Sequence, residues 1–274
     1  MKILFISLGC DKNLADSEEM LGLLTGSGHE IVDSEEEAEA IVINTCCFIH
    51  DAKEESVNTI LEMAEYKKTG KCKALVVTGC MAQRYKEEIT QEIPEVDAVL
   101  GTTSYGDIVK ALNEVQAGHV FQEFRDINEL PEDSGRRVLT TGGHFGYLKI
   151  AEGCDKHCTY CIIPSLRGSF RSVPEERLLA QAEYMASQGV KELILVAQET
   201  TVYGTDLYGR KTLHILLKKL CQIRGIRWIR VLYCYPEEIY DELIQVMKEE
   251  KKICNYLDLC LLYTSDAADD MQCV

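Results

Sequence analysis

At the centre of this sequence lies Glu152-Gly-Cys-Asp-Lys-His-Cys-Thr-Tyr-Cys161, in which Cys154, Cys158 and Cys161 form a C-x3-C-x2-C array. Thiolates are the usual protein ligands of iron–sulfur clusters, and a cubane 4Fe-4S cluster normally takes four of them. Three close cysteines with no fourth nearby would leave one iron free to bind another group. A structural zinc site favours a closed tetrahedron, but no second pair of ligands follows His157. The array therefore favours an iron–sulfur cluster, with zinc or unligated thiols as alternatives.

Strand and helix patterns alternate around this array. Residues 147–151 are predicted to form a strand that leads into it, and Pro174 opens a helix with acids in its first turn. Further predicted strands are 193–197, 228–233 and 256–259, with helices at 213–220 and 236–248. This alternation predicts half of a parallel β/α barrel, whose chemistry lies in the loops after the strands. The array and Gln198-Glu-Thr-Thr201 both occupy such loops.

The first 115 residues predict another parallel α/β domain. The predicted strands are 2–7, 40–44, 74–78 and 97–100, and the predicted helices are 16–24, 51–66 and 83–89. The strands are continuously apolar, as strands buried on both faces are, and the helical segments have a 3.6-residue periodicity. Strands and helices in alternation imply a parallel sheet covered by helices.

Three of these strands run into a cysteine, namely Cys10, Cys46 and Cys80. The carboxyl ends of parallel strands lie on one edge of a sheet, where ligands bind. A lone cysteine in such a place is usually a small buried hydrophobe. Three in equivalent positions favour one shared site.

The array, with Tyr160 before its last cysteine, resembles the cluster loop of radical S-adenosylmethionine enzymes. Its flanks, 147–153 and 162–168, are similar to the methylthiotransferase branch of that superfamily. The resemblance implies that the array's cysteines bind a 4Fe-4S cluster whose fourth iron takes S-adenosylmethionine. It also implies that Tyr160 and Ile162 pack near the adenine. An ordinary hydrophobic loop position would explain those two residues equally well.

The same resemblance suggests cofactor contacts by Gln198 and Glu199, although polar residues at a strand end need no such explanation. It further implies a second 4Fe-4S cluster held by Cys10, Cys46 and Cys80, with Cys47 as a less favoured ligand because neighbouring residues on an extended chain point apart.

Residues 7–18 look like the branch that modifies ribosomal protein uS12, whereas the tRNA-modifying branch carries Gln-Met-Asn where this chain has Asp11-Lys-Asn13. The implied reaction is radical transfer of a methylthio group to the β-carbon of a uS12 aspartate, with electrons from a donor protein. Two alternatives stay open: a tRNA adenosine methylthiotransferase, and a non-catalytic iron–sulfur or zinc-binding module or inactive fragment.

Composition adds further expectations. The chain has 274 residues, a net charge of −16 and 13 cysteines. That acidity argues against bulk binding of nucleic acid, although Arg136-Arg137 and residues 224–230 could form local basic patches. The apolar start is too short for a secretory leader, and no stretch approaches the roughly 20 apolar residues of a membrane span. We therefore expect a cytoplasmic protein with reduced thiols.

The predicted organisation has four parts. Residues 1–116 form the amino-terminal domain, 117–143 a linker with turn-forming clusters, and 144–259 the partial radical S-adenosylmethionine barrel. Residues 260–274 have no pattern of the family. They suggest a truncated or frame-shifted product of a longer gene, with the carboxyl-terminal part missing.

Overall fold

The computed structural model describes residues 1–132, 135 and 137–259. The chain folds into two compact units: the first comprises residues 1–140 and 155–169, and the second comprises 141–154 and the chain from Phe170 onward. The cysteine array is thereby divided, since Cys154 belongs to the second unit and Cys158 and Cys161 to the first. The tail from residue 260, with Cys260 and Cys273, and Arg136 of the predicted basic patch lie outside the described residues.

The first unit is built on a six-stranded sheet in the order β2-β1-β3-β4-β5-β6, with every neighbouring pair parallel. Its strands are β1 (Lys2–Ser7), β2 (Glu30–Val32), β3 (Ala40–Thr45), β4 (Ala74–Gly79), β5 (Ala98–Leu100) and β6 (Phe121–Glu123). Its helices are α1 (Asp11–Gly26), α2 (His50–Thr69), α3 (Cys80–Glu92), α4 (Ile108–Gln116) and α5 (Ile163–Arg167), with a 3-10 turn at Tyr105–Asp107.

Helices cover both faces of this sheet. Because β3 and β4 are buried along their whole length, alternate side chains enter two different cores. Ile41 and Ile43 pack with α2 and α3 on one face, and Ala40 and Val42 pack with α1 and α4 on the other. The continuous apolar runs of the sequence are thereby explained.

Three differences from the predicted elements stand out in this unit. Helix α1 begins at Asp11 rather than Asp16, because Cys10 with its extended backbone forms the N-cap. Strands β2 and β6 were not predicted, since they are three-residue edge strands with polar members. The segment 117–143, predicted as a linker, contributes β6 to the sheet and Arg137 to a buried ion pair with Glu18.

The second unit is a four-stranded parallel sheet in the order β7-β10-β11-β12, with a separate antiparallel pair, β8-β9. The strands are β7 (Phe145–Lys149), β8 (Ala151–Glu152), β9 (Arg171–Ser172), β10 (Glu192–Val196), β11 (Trp228–Cys234) and β12 (Ile253–Leu259). The helices are α6 (Glu175–Ser187), α7 (Thr205–Tyr208), α8 (Leu213–Cys221) and α9 (Asp241–Glu249), with a 3-10 turn at Pro236–Glu238.

The four main strands follow one another across the sheet in chain order, as the first strands of a β/α barrel do. The predicted fold class, a parallel α/β domain followed by the first half of a barrel, is confirmed. Within the described part of the chain, no helix is both long enough and apolar enough to cross a membrane.

Candidate functional site

The three strand-end cysteines of the first unit lie at a reversal in its strand order. From β1 the sheet extends to β2 on one side and to β3 and β4 on the other, and such switch points are where doubly wound sheets bind ligands. Cys10 follows β1, Cys46 follows β3, and Cys80 follows β4. Cys10 and Cys80 also stand at the amino-terminal ends of α1 and α3, where the helix dipole favours negative charge.

Glycines directly before two of these cysteines allow the backbone to lie close to the residues that end the neighbouring strand, β3. A Cβ on Gly9 would lie 2.7 Å from the Cβ of Cys46, and one on Gly79 would lie 2.3 Å from Asn44 Oδ1. Both glycines have positive φ, +88° and +93°, which side-chain-bearing residues rarely adopt. The Gly-Cys pairs at 9–10 and 79–80 are therefore a geometric requirement of this edge and a signal that the sequence analysis did not use.

Asn13 ties the loops of this edge together. Its Nδ2 donates to the carbonyl oxygens of Leu8, at 3.1 Å, and Thr45, at 2.9 Å. Its Oδ1 accepts from Arg167 Nη2 at 2.6 Å and from the Cys80 thiol at 3.8 Å. One fully buried amide thus connects the loop before Cys10, the strand end before Cys46, and Cys80 itself.

Arg167 brings a buried positive charge to the same place. Its Nη1 contacts Asp16 Oδ2 at 2.9 Å, and its Nη2 donates to Cys80 Sγ at 3.5 Å. Arg167 and Asp16 are both 3% exposed. Sequence reasoning assigned no role to Asn13 or Arg167, since Arg167 lies 151 residues from Asp16 and only folding brings the two together.

Burial and neighbouring charges shift the pKa values of Cys46 and Cys80. Burial raises the pKa of Cys80, while the nearby Arg167 charge opposes this change. Burial likewise raises the pKa of Cys46, and the charges of Cys10 and Arg167 act on it in opposite directions. The three thiols and the guanidinium therefore share one electrostatic environment.

Cys47 lies in a different setting. Burial raises its pKa to about 11, and its thiol hydrogen-bonds with Arg84. It packs in the hydrophobic core beside Ile43 and Met81. This environment suits a packing residue better than a ligand.

The donor set at this edge is of the kind that iron–sulfur clusters use, since thiolates are their usual protein ligands. Among the described residues, no three His, Cys, Asp or Glu side chains converge closely enough to hold one metal ion. Three thiols beside a buried cation and two helix amino termini suit a wide anionic group.

In the second unit, Gln198 follows β10 and turns towards Glu152 at the end of β8. Its Nε2 donates to Glu152 Oε1 at 3.0 Å, and Lys149 Nζ contacts the other carboxylate oxygen at 3.1 Å. Within the described chain, Gln198 Oε1 is buried without a hydrogen-bond partner. Flipping the amide would set two oxygens against each other, so this orientation leaves a buried acceptor available to a ligand.

The neighbouring Glu199 is engaged locally. Its carboxylate, in a residue only 4% exposed, accepts from the backbone N–H of Thr201 at 3.0 Å and from the Thr201 hydroxyl. The predicted cofactor contact by Glu199 stays a prediction, and the local hydrogen bonds account for its position.

Apart from Cys154 in the second unit, the other predicted residues lie in or directly after the part of the array that belongs to the first unit. Cys161 N–H donates to the Cys158 carbonyl at 2.9 Å in a tight turn, and both cysteines are half-exposed. Tyr160 is 47% exposed. Ile162 packs against the hydrophobic core that contains Leu166, which accounts for its apolar character without a ligand.

Two family descriptions match this chain. Residues 2–101 match "Uncharacterized protein family UPF0004", and residues 148–266 match the "Radical SAM superfamily". Residues 102–147, between the two matches, include α4 and β6 of the first unit.

Relatives of known name match over nearly the whole sequence. "Ribosomal protein uS12 methylthiotransferase RimO" of Lachnoclostridium phytofermentans is 65% identical over 97% of this chain and 60% of its own length. The proteins of that name from Clostridium botulinum (strain Eklund 17B / Type B) and Clostridioides difficile are 50% and 49% identical, again over 97% of this chain. This chain therefore spans about 60% of the length of these relatives.

Solved structures with a similar fold are more distant in sequence. The radical S-adenosylmethionine methyltransferase TsrM from Kitasatospora setae matches with a TM-score of 0.63 at 11% identity, covering 97% of this chain and 60% of that chain. The cobalamin-dependent radical enzyme OxsB matches with a TM-score of 0.58 at 12% identity, covering 99% and 45%. At such identities the likeness concerns the fold alone. The two matched families and the named relatives together make this chain similar, over nearly its whole length, to radical S-adenosylmethionine enzymes that are named as uS12 methylthiotransferases.

Proposed function

We propose that this chain belongs to an enzyme that transfers a methylthio group to the β-carbon of an aspartate in ribosomal protein uS12. The observation that carries the proposal is the meeting of Cys10, Cys46 and Cys80 at one sheet edge, in a chain that also contains the C-x3-C-x2-C array. Relatives named for the uS12 reaction support the choice of substrate. Because the chain spans about 60% of their length, the complete reaction is proposed for the whole enzyme.

The array's cysteines would hold the cluster that binds S-adenosylmethionine. When both are bound, the cluster and S-adenosylmethionine together supply a 5′-deoxyadenosyl radical, which abstracts hydrogen from an unactivated carbon. Gln198 supports the assignment, because its buried Oε1 can accept a hydrogen bond from the cofactor while Glu152 and Lys149 hold its other end. The role of Gln198 is thus to orient the cofactor.

The thiols at the switch point would hold the second cluster, which carries the sulfur for transfer. Cys46 and Cys80 are buried, and Cys10 is partly exposed, so the chain encloses the site on one side and leaves an approach on the other. Arg167 supplies positive charge to an otherwise anionic ligand set. The partners implied are ribosomal protein uS12 and an electron-donor protein.

Counting iron tests the two sites separately. The chain would be reconstituted anaerobically with iron and sulfide, beside one variant with Cys154, Cys158 and Cys161 changed to alanine and another with Cys10, Cys46 and Cys80 changed. We expect about eight irons in the parent and about four in each variant. A variant with Cys221 and Cys234 changed to alanine is the control, because both thiols are buried in the second unit and burial raises the pKa of each to about 11.

The control variant should keep all eight irons. A parent with only about four irons, all lost when the array is removed, would mean that Cys10, Cys46 and Cys80 hold no cluster. The methylthiotransferase proposal for this chain would then fail, leaving a radical enzyme with one cluster.

A further inference from the structure

Arg167 links the segment that follows the cysteine array to the amino-terminal thiols. It is the last residue of α5, six positions after Cys161, yet its guanidinium lies in the interior of the first unit against Cys80 Sγ. The backbone of the same short helix is held there as well, since Thr102 Oγ1 donates to the Leu166 carbonyl at 2.8 Å and Leu166 is 2% exposed. The position of Arg167 is therefore fixed from both its backbone and its side chain.

Both arms of the Arg167 guanidinium contact buried side chains of the first unit. Asp16 accepts from one arm of the guanidinium, and the other arm is shared between Asn13 Oδ1 and Cys80 Sγ. An arginine keeps its charge in proteins and presents its N–H groups in a rigid fork. The arm that reaches Cys80 is consequently a permanent donor whose direction is set by the ion pair with Asp16.

We propose, building on the second cluster of the proposed function, that Arg167 is a positioning residue that donates a charge-assisted hydrogen bond to the sulfur of Cys80 and raises the reduction potential of the cluster held there. Hydrogen bonds to the ligand sulfurs and nearby charge are among the factors that set such potentials. Asp16 acts in the opposite sense, because it is the buried negative charge next to the donor. The segment after the array thereby influences the other cluster of the same chain.

A purely structural tie would have the same geometry, so the experiment must separate a structural role from an effect on the reduction potential. The chain offers a matched control in the ion pair of Arg137 Nη2 with Glu18 Oε2, at 2.6 Å. Both members are buried, and Glu18 lies on the same helix as Asp16. Changes to this pair disturb a comparable buried salt bridge whose arginine is directed to Glu18 rather than to Cys80.

The experiment is a redox titration followed by electron paramagnetic resonance, with iron counted in every sample. The background is the full chain with Cys154, Cys158 and Cys161 changed to alanine, so that the signal comes from the amino-terminal cluster. Into it are placed Arg167→Gln, Asp16→Asn and the controls Arg137→Gln and Glu18→Gln. We expect a more negative midpoint potential for Arg167→Gln, a more positive one for Asp16→Asn, and the background potential for both controls.

Opposite shifts of the midpoint potential in Arg167→Gln and Asp16→Asn support the inference. A loss of structure alone would not shift the potential in opposite directions according to the sign of the charge that is removed. Background potentials in both, or shifts in the same direction, overturn it. If circular dichroism shows that Arg167→Gln is unfolded, Asp16→Asn decides by itself, and the absence of a positive shift is the negative result. A background chain that binds no iron overturns the second cluster itself, an outcome distinct from a four-iron background with unchanged potentials.

Discussion

The two sheets of this chain use the same strand and helix alternation but arrange it differently. In the first unit the chain reverses direction across the sheet, giving the order β2-β1-β3-β4-β5-β6, whereas the main sheet of the second unit runs in chain order, β7-β10-β11-β12. A reversal opens a crevice between strands at its carboxyl edge. A sheet without reversal curls towards a barrel, which gathers the loops of successive strands around its mouth.

This difference decides how each unit builds its candidate site. The first unit brings three cysteines from three strand ends to one crevice and surrounds them with a buried network centred on Asn13 and Arg167. The second unit delivers Cys154 on the loop after its first strands and places Gln198 beside Glu152. A sheet edge thus positions one set of predicted ligands, and a local C-x3-C-x2-C spacing positions the other.

The largest loss of folding stability should follow from breaking the buried ion pair of the first unit. Arg137→Ala leaves the fully buried Glu18 carboxylate without its charged partner, and breaking such a pair costs about 3–5 kcal/mol. Lys219→Ala in the second unit removes a pair with Glu175 whose lysine side chain is 49% exposed, and such exposed pairs contribute little to stability.

Hydrogen exchange of β3 and β4 would report the first unit, and fluorescence of Trp228, the only tryptophan of the chain, would report the second. Equal losses of stability in the two variants would contradict the contrast between them.

A smaller loss of folding stability is expected when a methyl group is added at the carboxyl edge of the first sheet. Gly79 has φ +93° and ψ −157°, a region used almost only by glycine, and a Cβ there would meet Thr45 O at 2.5 Å. Strain and overpacking together give about 3 kcal/mol of destabilisation for Gly79→Ala. Gly28→Ala is the control, because Gly28 also has positive φ but has no atom within 4 Å of the added Cβ.

Urea unfolding would measure both glycine variants, with a loss of about 1 kcal/mol expected for the control. Iron bound by the amino-terminal thiols should fall in Gly79→Ala alone. A Gly79 variant as stable as the Gly28 variant would show that the sheet edge can relax around a methyl group.

The smallest effect concerns the second unit. Gln198→Leu removes the buried acceptor Oε1 and the donor to Glu152, so the reconstituted chain should bind S-adenosylmethionine about tenfold more weakly, equivalent to about 1.4 kcal/mol. The exposed Gln188, changed in the same way, serves as the control. Calorimetric titration would give both dissociation constants, and identical values would remove Gln198 from the cofactor site.

Much of the architecture could be predicted from local pattern. Continuous apolar strands alternating with helices indicated parallel sheets, and that prediction is confirmed in both units. The edge strands β2 and β6 were missed because three-residue segments containing Glu30 or Gln122 have too little apolar character to be recognised. The ligand set at the strand ends stays a prediction, which the iron count will test.

The sequence by itself determined the two cysteine sets and the order of strands and helices along the chain, because spacing and periodicity are local properties. Only the tertiary structure decided that β1 lies between β2 and β3, which turns Cys10 and Cys46 into neighbours at a switch point. It also decided that the charged residues Asp16 and Glu18 are buried. Their partners, Arg167 and Arg137, are 151 and 119 residues away, and a charge is buried at tolerable cost only where folding brings such a partner to it.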